Sequence, residues 1–193
     1  MLEQLAEPLL SWYHEHARIL PWREEPTAYR VWVSEIMLQQ TRVEAVKPYY
    51  ERFMEALPGI RELAACPEER LLKLWEGLGY YNRARNLKKA AEILVEEYEG
   101  VMPKDYEAVL ALPGIGSYTA GAVLSIAYGK CYPAVDGNVL RVLSRVFADS
   151  RDISRQSIKT ETEKLLLSVI PQEAPGAFNE AIMEIGETIC IPN

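Results

Sequence analysis

The stretch Leu112-Pro-Gly-Ile-Gly-Ser-Tyr-Thr119 constrains this chain more than any other: an apolar anchor, a Gly-x-Gly turn and then an uninterrupted helical run. Two glycines around one aliphatic residue allow a tight turn that presents bare N–H groups at a helix start, where the dipole also favours an anion. Gly114 and Gly116 therefore read as a phosphate seat made of backbone amides. Such amides hold a nucleic-acid backbone without reading its bases. Chemistry and specificity must then come from side chains elsewhere.

Helical signals dominate the remainder, and no run of alternating strand residues stands out. The expected class is all-α, with short helices at 3–15, 29–40, 43–55, 60–64, 68–76, 83–98, 105–111, 117–128, 138–147, 156–169 and 176–189. Pro21, Pro26, Pro58, Pro67, Pro103, Pro113, Pro133 and Pro171 fall between these segments, where a missing N–H does little harm. A second turn, Gly77-Leu-Gly-Tyr-Tyr81, echoes Gly114-Ile-Gly-Ser-Tyr118. Two copies are too few for a solenoid, so the expectation is a pair of helix-hairpin turns presenting amides from the same kind of corner.

With 193 residues, 49% of them hydrophobic, the chain can bury one good core or two lobes sharing a cleft. No secretory signal or membrane-spanning run is legible, which makes a cytoplasmic protein without a membrane partner the default. A net charge of -7 argues against nucleic acid in the crude form of the charge rule. Distribution matters more than the sum: acidic residues gather at 92–107 and 161–187, whereas Arg83, Arg85, Lys88 and Lys89 cluster after the second glycine turn. A modest basic face on an acidic body is one reading, and a solvated helix face laced with local pairs is the other. Cys66, Cys131 and Cys190 are too few and too widely spaced for a disulfide framework, and the first two read as inert.

Two carboxyl groups stand out. In the helix 29–40, Val31, Trp32, Val33, Ile36, Met37 and Leu38 cover most of the circumference, so Glu35 has apolar neighbours on both flanks. A carboxyl group placed so resists ionisation and is prepared to deliver a proton near neutral pH, although an interfacial Glu paired with Arg23 or Arg42 would give the same sequence. Asp136 precedes Gly137, Asn138 and an apolar helix, the position of an ordinary N-cap. A carboxylate at a helix N-terminus is expected to stay ionised. Two carboxyl groups pushed in opposite directions suit glycosidic-bond cleavage, one as acid and one as stabiliser of an oxocarbenium-like centre.

These pieces together resemble the helix-hairpin-helix DNA glycosylases with a Gly-Pro-Asp loop, the superfamily that includes endonuclease III. Leu20-Pro-Trp-Arg23, the block from Trp32 to Val43, Trp75-Glu-Gly-Leu-Gly-Tyr-Tyr81 and Pro133-Ala-Val-Asp-Gly-Asn-Val139 look more narrowly like the MutY-type adenine glycosylases. The resemblance implies a helical barrel with the hairpin over 26–130 and a second lobe formed from 1–25 and 131–193, with the active site in the cleft between. It implies Glu35 as the general acid at adenine N7 and Asp136 as the carboxylate that stabilises the sugar cation. Tyr118 stands where bifunctional relatives carry a lysine, so no Schiff base and no strand cleavage are expected. Tyr118 would instead support the reaction near the sugar, with Asn138 beside it. Gln40 and Tyr80 match residues that enter the base stack, Arg83 joins the DNA-binding set, and Trp22, Arg23, Leu38 and Glu180 match the adenine pocket.

In that family a cysteine at the place of Cys190 begins the four-cysteine loop of a [4Fe-4S] cluster, and a further domain recognises 8-oxoguanine. Neither the other three ligands nor that domain is in this sequence, so against the resemblance the chain reads either as a fragment of a longer polypeptide or as only the ordered part of one. A monovalent cation on the hairpin carbonyls is also implied. The expectation is a monomeric, monofunctional glycosylase that hydrolyses adenine from double-stranded DNA mispaired with 8-oxoguanine or guanine. A thymine glycosylase acting on T opposite G, a catalytically silent DNA-binding module and a structural helical protein are the rivals.

Overall fold

The computed structural model describes residues 5–192, which contain twelve α-helices and no strand. They are α1 (Ala6–His16), α2 (Pro21–Glu24), α3 (Ala28–Leu38), α4 (Val43–Ala56), α5 (Ile60–Ala65), α6 (Glu68–Trp75), α7 (Asn82–Glu97), α8 (Tyr106–Leu110), α9 (Ser117–Tyr128), α10 (Gly137–Val146), α11 (Gln156–Leu167) and α12 (Pro175–Thr188). The all-α class is as expected. Helix α2 has no counterpart among the expected segments, and several ends differ by one or two residues: the helix expected to reach residue 40 stops at Leu38, and the one expected to reach 169 stops at Leu167. Residues 3 and 4 of the first expected helix lie outside the described residues.

The chain forms two compact units, one of Ile19–Thr119 and the other of the chain up to Arg18 together with Ala120 onward. In the first, α3 is the central element and packs on α2, α4 and α7, while α6 joins α4 and α7 and α5 lies on α7. Thr27 starts α3 by accepting a hydrogen bond from the Arg30 amide at 3.3 Å. Eight of the eleven α3 residues are buried. That follows from a sequence apolar on nearly every side. Its buried Ser34 hydroxyl donates to the Val31 carbonyl at 2.8 Å, whereas the buried Trp32 Nε1 has no hydrogen-bond partner among the described residues. Trp32, Met37, Phe53 and Trp75 fill the centre, with Phe53 edge-on to Trp75 at 6.0 Å. Each such side chain contributes on the order of 2–3 kcal/mol through burial.

In the second unit, α12 packs on α1 and α10 around Val139, Leu143, Leu166, Phe178 and Ile182. Asp136 caps α10 by accepting from the Val139 amide at 2.8 Å. Beneath the apolar contacts, the Arg18 guanidinium donates to both carboxylate oxygens of the buried Glu184, at 2.6 and 2.9 Å, and to Glu187 at 2.5 Å. A buried carboxylate is tolerated there because its charge and lone pairs are met.

Candidate active site

Glu35 sits in the last turns of α3 and is only 6% exposed. Tyr118, in the first turn of α9, donates its hydroxyl to Glu35 Oε2 at 2.6 Å. The short O–H···O contact fixes the carboxyl group's orientation at the base of the glycine turn. The sequence suggested both residues separately, with Tyr118 directed at the sugar. In the structure the phenol is directed at the acid.

Asp136 does two things at once. One oxygen caps α10; the other accepts from Asn138 Nδ2 at 2.9 Å. Asn138 cannot turn its amide round, because Arg141 donates to its Oδ1 at 2.6 Å. Arg141 is in turn held by the carbonyls of Gly186 and Cys190, each at 2.8 Å. The helix terminus does not hold the Asp136 carboxyl below its ordinary range. Burial pushes its carboxyl above the ordinary value of 3.8, and the neighbouring Glu187 charge acts in the same sense. The hydrogen bonds from Val139 and Asn138 pull it back only in part.

The two glycine turns are not alike, contrary to expectation. Gly114 has φ +80°, and a β-carbon there would lie 2.8 Å from Asn86 Cβ, so the turn demands glycine twice over. Gly116 is exposed, lacks a positive φ and has nothing within 4 Å of an added β-carbon. In the earlier turn Gly77 and Gly79 are both left-handed, Tyr80 follows at φ 48°, and Trp75 Nε1 donates to the Gly79 carbonyl at 3.1 Å. That corner closes α6 and needs two further residues before α7 begins, whereas the Gly114 turn runs straight into α9.

Tyr80 is 64% exposed and Gln40 is also exposed, at φ 58°. A left-handed conformation costs a non-glycine residue about 1–2 kcal/mol, so surrounding contacts must enforce both. Arg83 is at that place. Its guanidinium donates to the carbonyls of Ile36, Met37, Gln39, Leu78 and Gly79 and to the Thr41 hydroxyl. Its charge centre lies 5.5 Å from the rings of Trp75 and Tyr80. Of the two readings of 83–89, a basic face or a helix face laced with local pairs, the contacts favour the second. Arg83 is directed at carbonyls, Arg85 pairs with Glu68 at 2.8 Å, and Lys88 pairs with Glu92 at 2.9 Å while donating to the Ala64 carbonyl.

Of the other expected residues, Trp22 is buried edge-on against Tyr50 at 5.4 Å, and Arg23 and Leu38 are half-buried in the same unit. Glu180 is half-buried on α12 of the other unit. Cys190 accepts a 3.1 Å contact from Arg145 at its Sγ. Among the described residues no group of three or more His, Cys, Asp or Glu could hold a metal ion. A four-thiolate cluster therefore does not fit the residues of this chain, whose other cysteines are Cys66 and Cys131.

Sequence reasoning missed Asn179 and Arg141. Buried Asn179 donates to the Ser125 hydroxyl (2.8 Å) and the Tyr132 carbonyl (2.9 Å) and accepts from the Ala134 amide (3.1 Å), which pins the loop leading to Asp136. A lone Asn between Phe178 and Ala181 on an apolar helix was the available signal.

The family model for the HhH-GPD superfamily base excision DNA repair protein matches residues 33–168. The chain is 42% identical over 184 residues to the adenine DNA glycosylase of Buchnera aphidicola subsp. Acyrthosiphon pisum, covering 95% of this chain and 53% of that protein. It is 45% identical over 193 residues to the adenine DNA glycosylase of Homo sapiens, covering 95% of this chain and 35% of that protein. The chain thus spans about half, or less, of the length of these curated relatives. A thermostable thymine-DNA glycosylase structure superposes with a TM-score of 0.89 at 28% identity, over 100% of this chain and 88% of that one. A trapped endonuclease III–DNA covalent intermediate gives 0.82 at 25% identity, over 100% and 89%.

Proposed function

The chain belongs to the HhH-GPD superfamily of base excision DNA repair proteins, and on that premise we propose that it is a monofunctional glycosylase core that hydrolyses adenine from DNA mispaired with 8-oxoguanine or guanine. The observation that carries the proposal is the 2.6 Å hydrogen bond from Tyr118 to the buried Glu35 carboxyl. In this reading Glu35 gives a proton to N7 of the extruded adenine as the N-glycosidic bond breaks, and the bond's electrons leave with the base. The anionic form of Asp136 stabilises the positive charge left on the sugar, and water adds at the anomeric carbon and loses a proton. Asn138 orients Asp136 by its hydrogen bond. A phenol cannot form an imine with the opened sugar, so the strand stays intact. Gly116 and Gly114 offer amides to DNA phosphate, and Gln40 and Tyr80 fill the stack that the base has left. Trp22, Arg23, Leu38 and Glu180 line the base pocket in the same reading.

The identity to adenine DNA glycosylases over nearly the whole chain supports the choice of base. One observation favours a second reading, excision of thymine opposite guanine: the TM-score of 0.89 to a thymine-DNA glycosylase. The two differ at Glu35, because thymine has no N7 to protonate. Single-turnover assays on duplexes carrying A opposite 8-oxoguanine, A opposite G and T opposite G separate them. Adenine release that falls about 10²- to 10⁴-fold in Glu35→Gln, with duplex binding retained, is the expected result. Release of thymine alone overturns the first reading, and release of neither base from any duplex overturns both.

A further inference from the structure

Gln40 and Tyr80 are separated by forty positions of chain, yet both are exposed, both are left-handed and both are bracketed by a single side chain. Arg83 donates to the Gln39 carbonyl just before Gln40 and to the Thr41 hydroxyl just after it. The same guanidinium donates to the Leu78 and Gly79 carbonyls just before Tyr80, and the Arg83 amide donates to the Tyr80 carbonyl at 2.9 Å. Its charge centre also lies 5.5 Å from the Tyr80 ring. We propose that Arg83 is a positioning residue that joins the Gln40 and Tyr80 turns into one two-pronged wedge, so that both side chains enter a DNA duplex at the step where the base is extruded.

The inference rests on the glycosylase reading above and adds a role that a phosphate-binding arginine would not have. A planar guanidinium has donors on several edges and can satisfy carbonyls from two segments at once; a lysine ammonium is a point charge on a flexible stem and cannot span them. With Lys at 83 the two turns lose their common anchor. Each left-handed residue is then free to relax independently, and the entry of one prong no longer aids the other.

The test uses a duplex with 2-aminopurine at the target adenine, whose fluorescence rises on unstacking, and protein carrying Glu35→Gln so that flipping is read without chemistry. Arg83→Lys is expected to lower the flipping equilibrium about 10-fold. Binding to a fully matched duplex should change by less than about 2-fold. In a Gln40→Ala/Tyr80→Ala background, Arg83→Lys should cost less than about 2-fold more, since its effect passes through those two side chains. Unchanged flipping in Arg83→Lys, or an equal loss with and without the prongs, overturns the proposal. If Arg83→Lys does not fold, Thr41→Val decides: it removes one peripheral contact, and its smaller loss must also disappear without the prongs. The parent protein's release of adenine, measured in parallel, is independent of these outcomes and tests the glycosylase reading alone.

Discussion

Gly186 on α12 approaches Asn138 on α10 so closely that a β-carbon at position 186 would stand 2.6 Å from Asn138 Cβ and 3.2 Å from its Cα. The Gly186 carbonyl also accepts from Arg141, which orients the Asn138 amide toward Asp136. Gly186→Ala must therefore push α10 and α12 apart at the point where Asp136 is held. We expect a loss of about 1–3 kcal/mol in urea unfolding, as for overpacking elsewhere, together with slower adenine release at unchanged duplex affinity.

Tyr118→Phe keeps the ring and deletes the donor to Glu35. A hydrogen bond to an ionisable group is worth about 1.5–3 kcal/mol. Single-turnover base release should slow by about 10- to 100-fold. Urea unfolding should also show a loss of about 1 kcal/mol or more, because the buried Glu35 carboxyl loses this donor. Release at the parent rate would remove Tyr118 from the chemistry.

Asp136 carries a pH signature whose sign is fixed by burial. Its folded pKa is raised above 3.8, so the native state holds this proton more tightly than the unfolded chain does. The resulting stability is fully present below the unfolded value and is lost as pH rises through the folded one. Asp136→Asn retains a good capping residue and has no charge to bury. Urea titrations between about pH 4 and 7 should show the variant at least as stable as the parent at the upper end. That advantage should shrink toward the lower end while base release is lost throughout. A variant less stable at neutral pH than in acid, relative to the parent, would contradict this.

Asn179→Ala leaves the Ser125 hydroxyl, the Tyr132 carbonyl and the Ala134 amide without their partner. Buried groups stranded in this way cost about 1–3 kcal/mol each. We expect a total of about 3 kcal/mol, partly recovered by water. Hydrogen exchange should quicken first at the Ala134 amide.

The elements legible in sequence were those governed by local rules. The apolar circumference of α3 announced its burial and that of Glu35, and Asp136 announced a helix start because capping depends on adjacent residues alone. What stayed hidden depends on distant neighbours. The four residues of α2 are too few for a periodic pattern. The stop of α3 at Leu38 has no glycine or proline to mark it and is set by Arg83, far along the chain. Arg83 itself read as a surface cation because a charge in a sequence does not reveal five carbonyls waiting for it. The upward shift of Asp136 was missed for a related reason, since the helix terminus is local whereas the enclosing α12 side is not.

Gly116 has a consequence for anyone who would engineer this fold. Its backbone needs no special angle and its surroundings leave room for a methyl group. A thermal-tolerance screen run on the bare protein would thus accept alanine there and reward it by about 0.4–1 kcal/mol through a stiffer unfolded chain. Under the proposed seating of a DNA phosphate on this turn, a selection conducted on nucleic acid would reject it, because the methyl would shield the Gly116 amide.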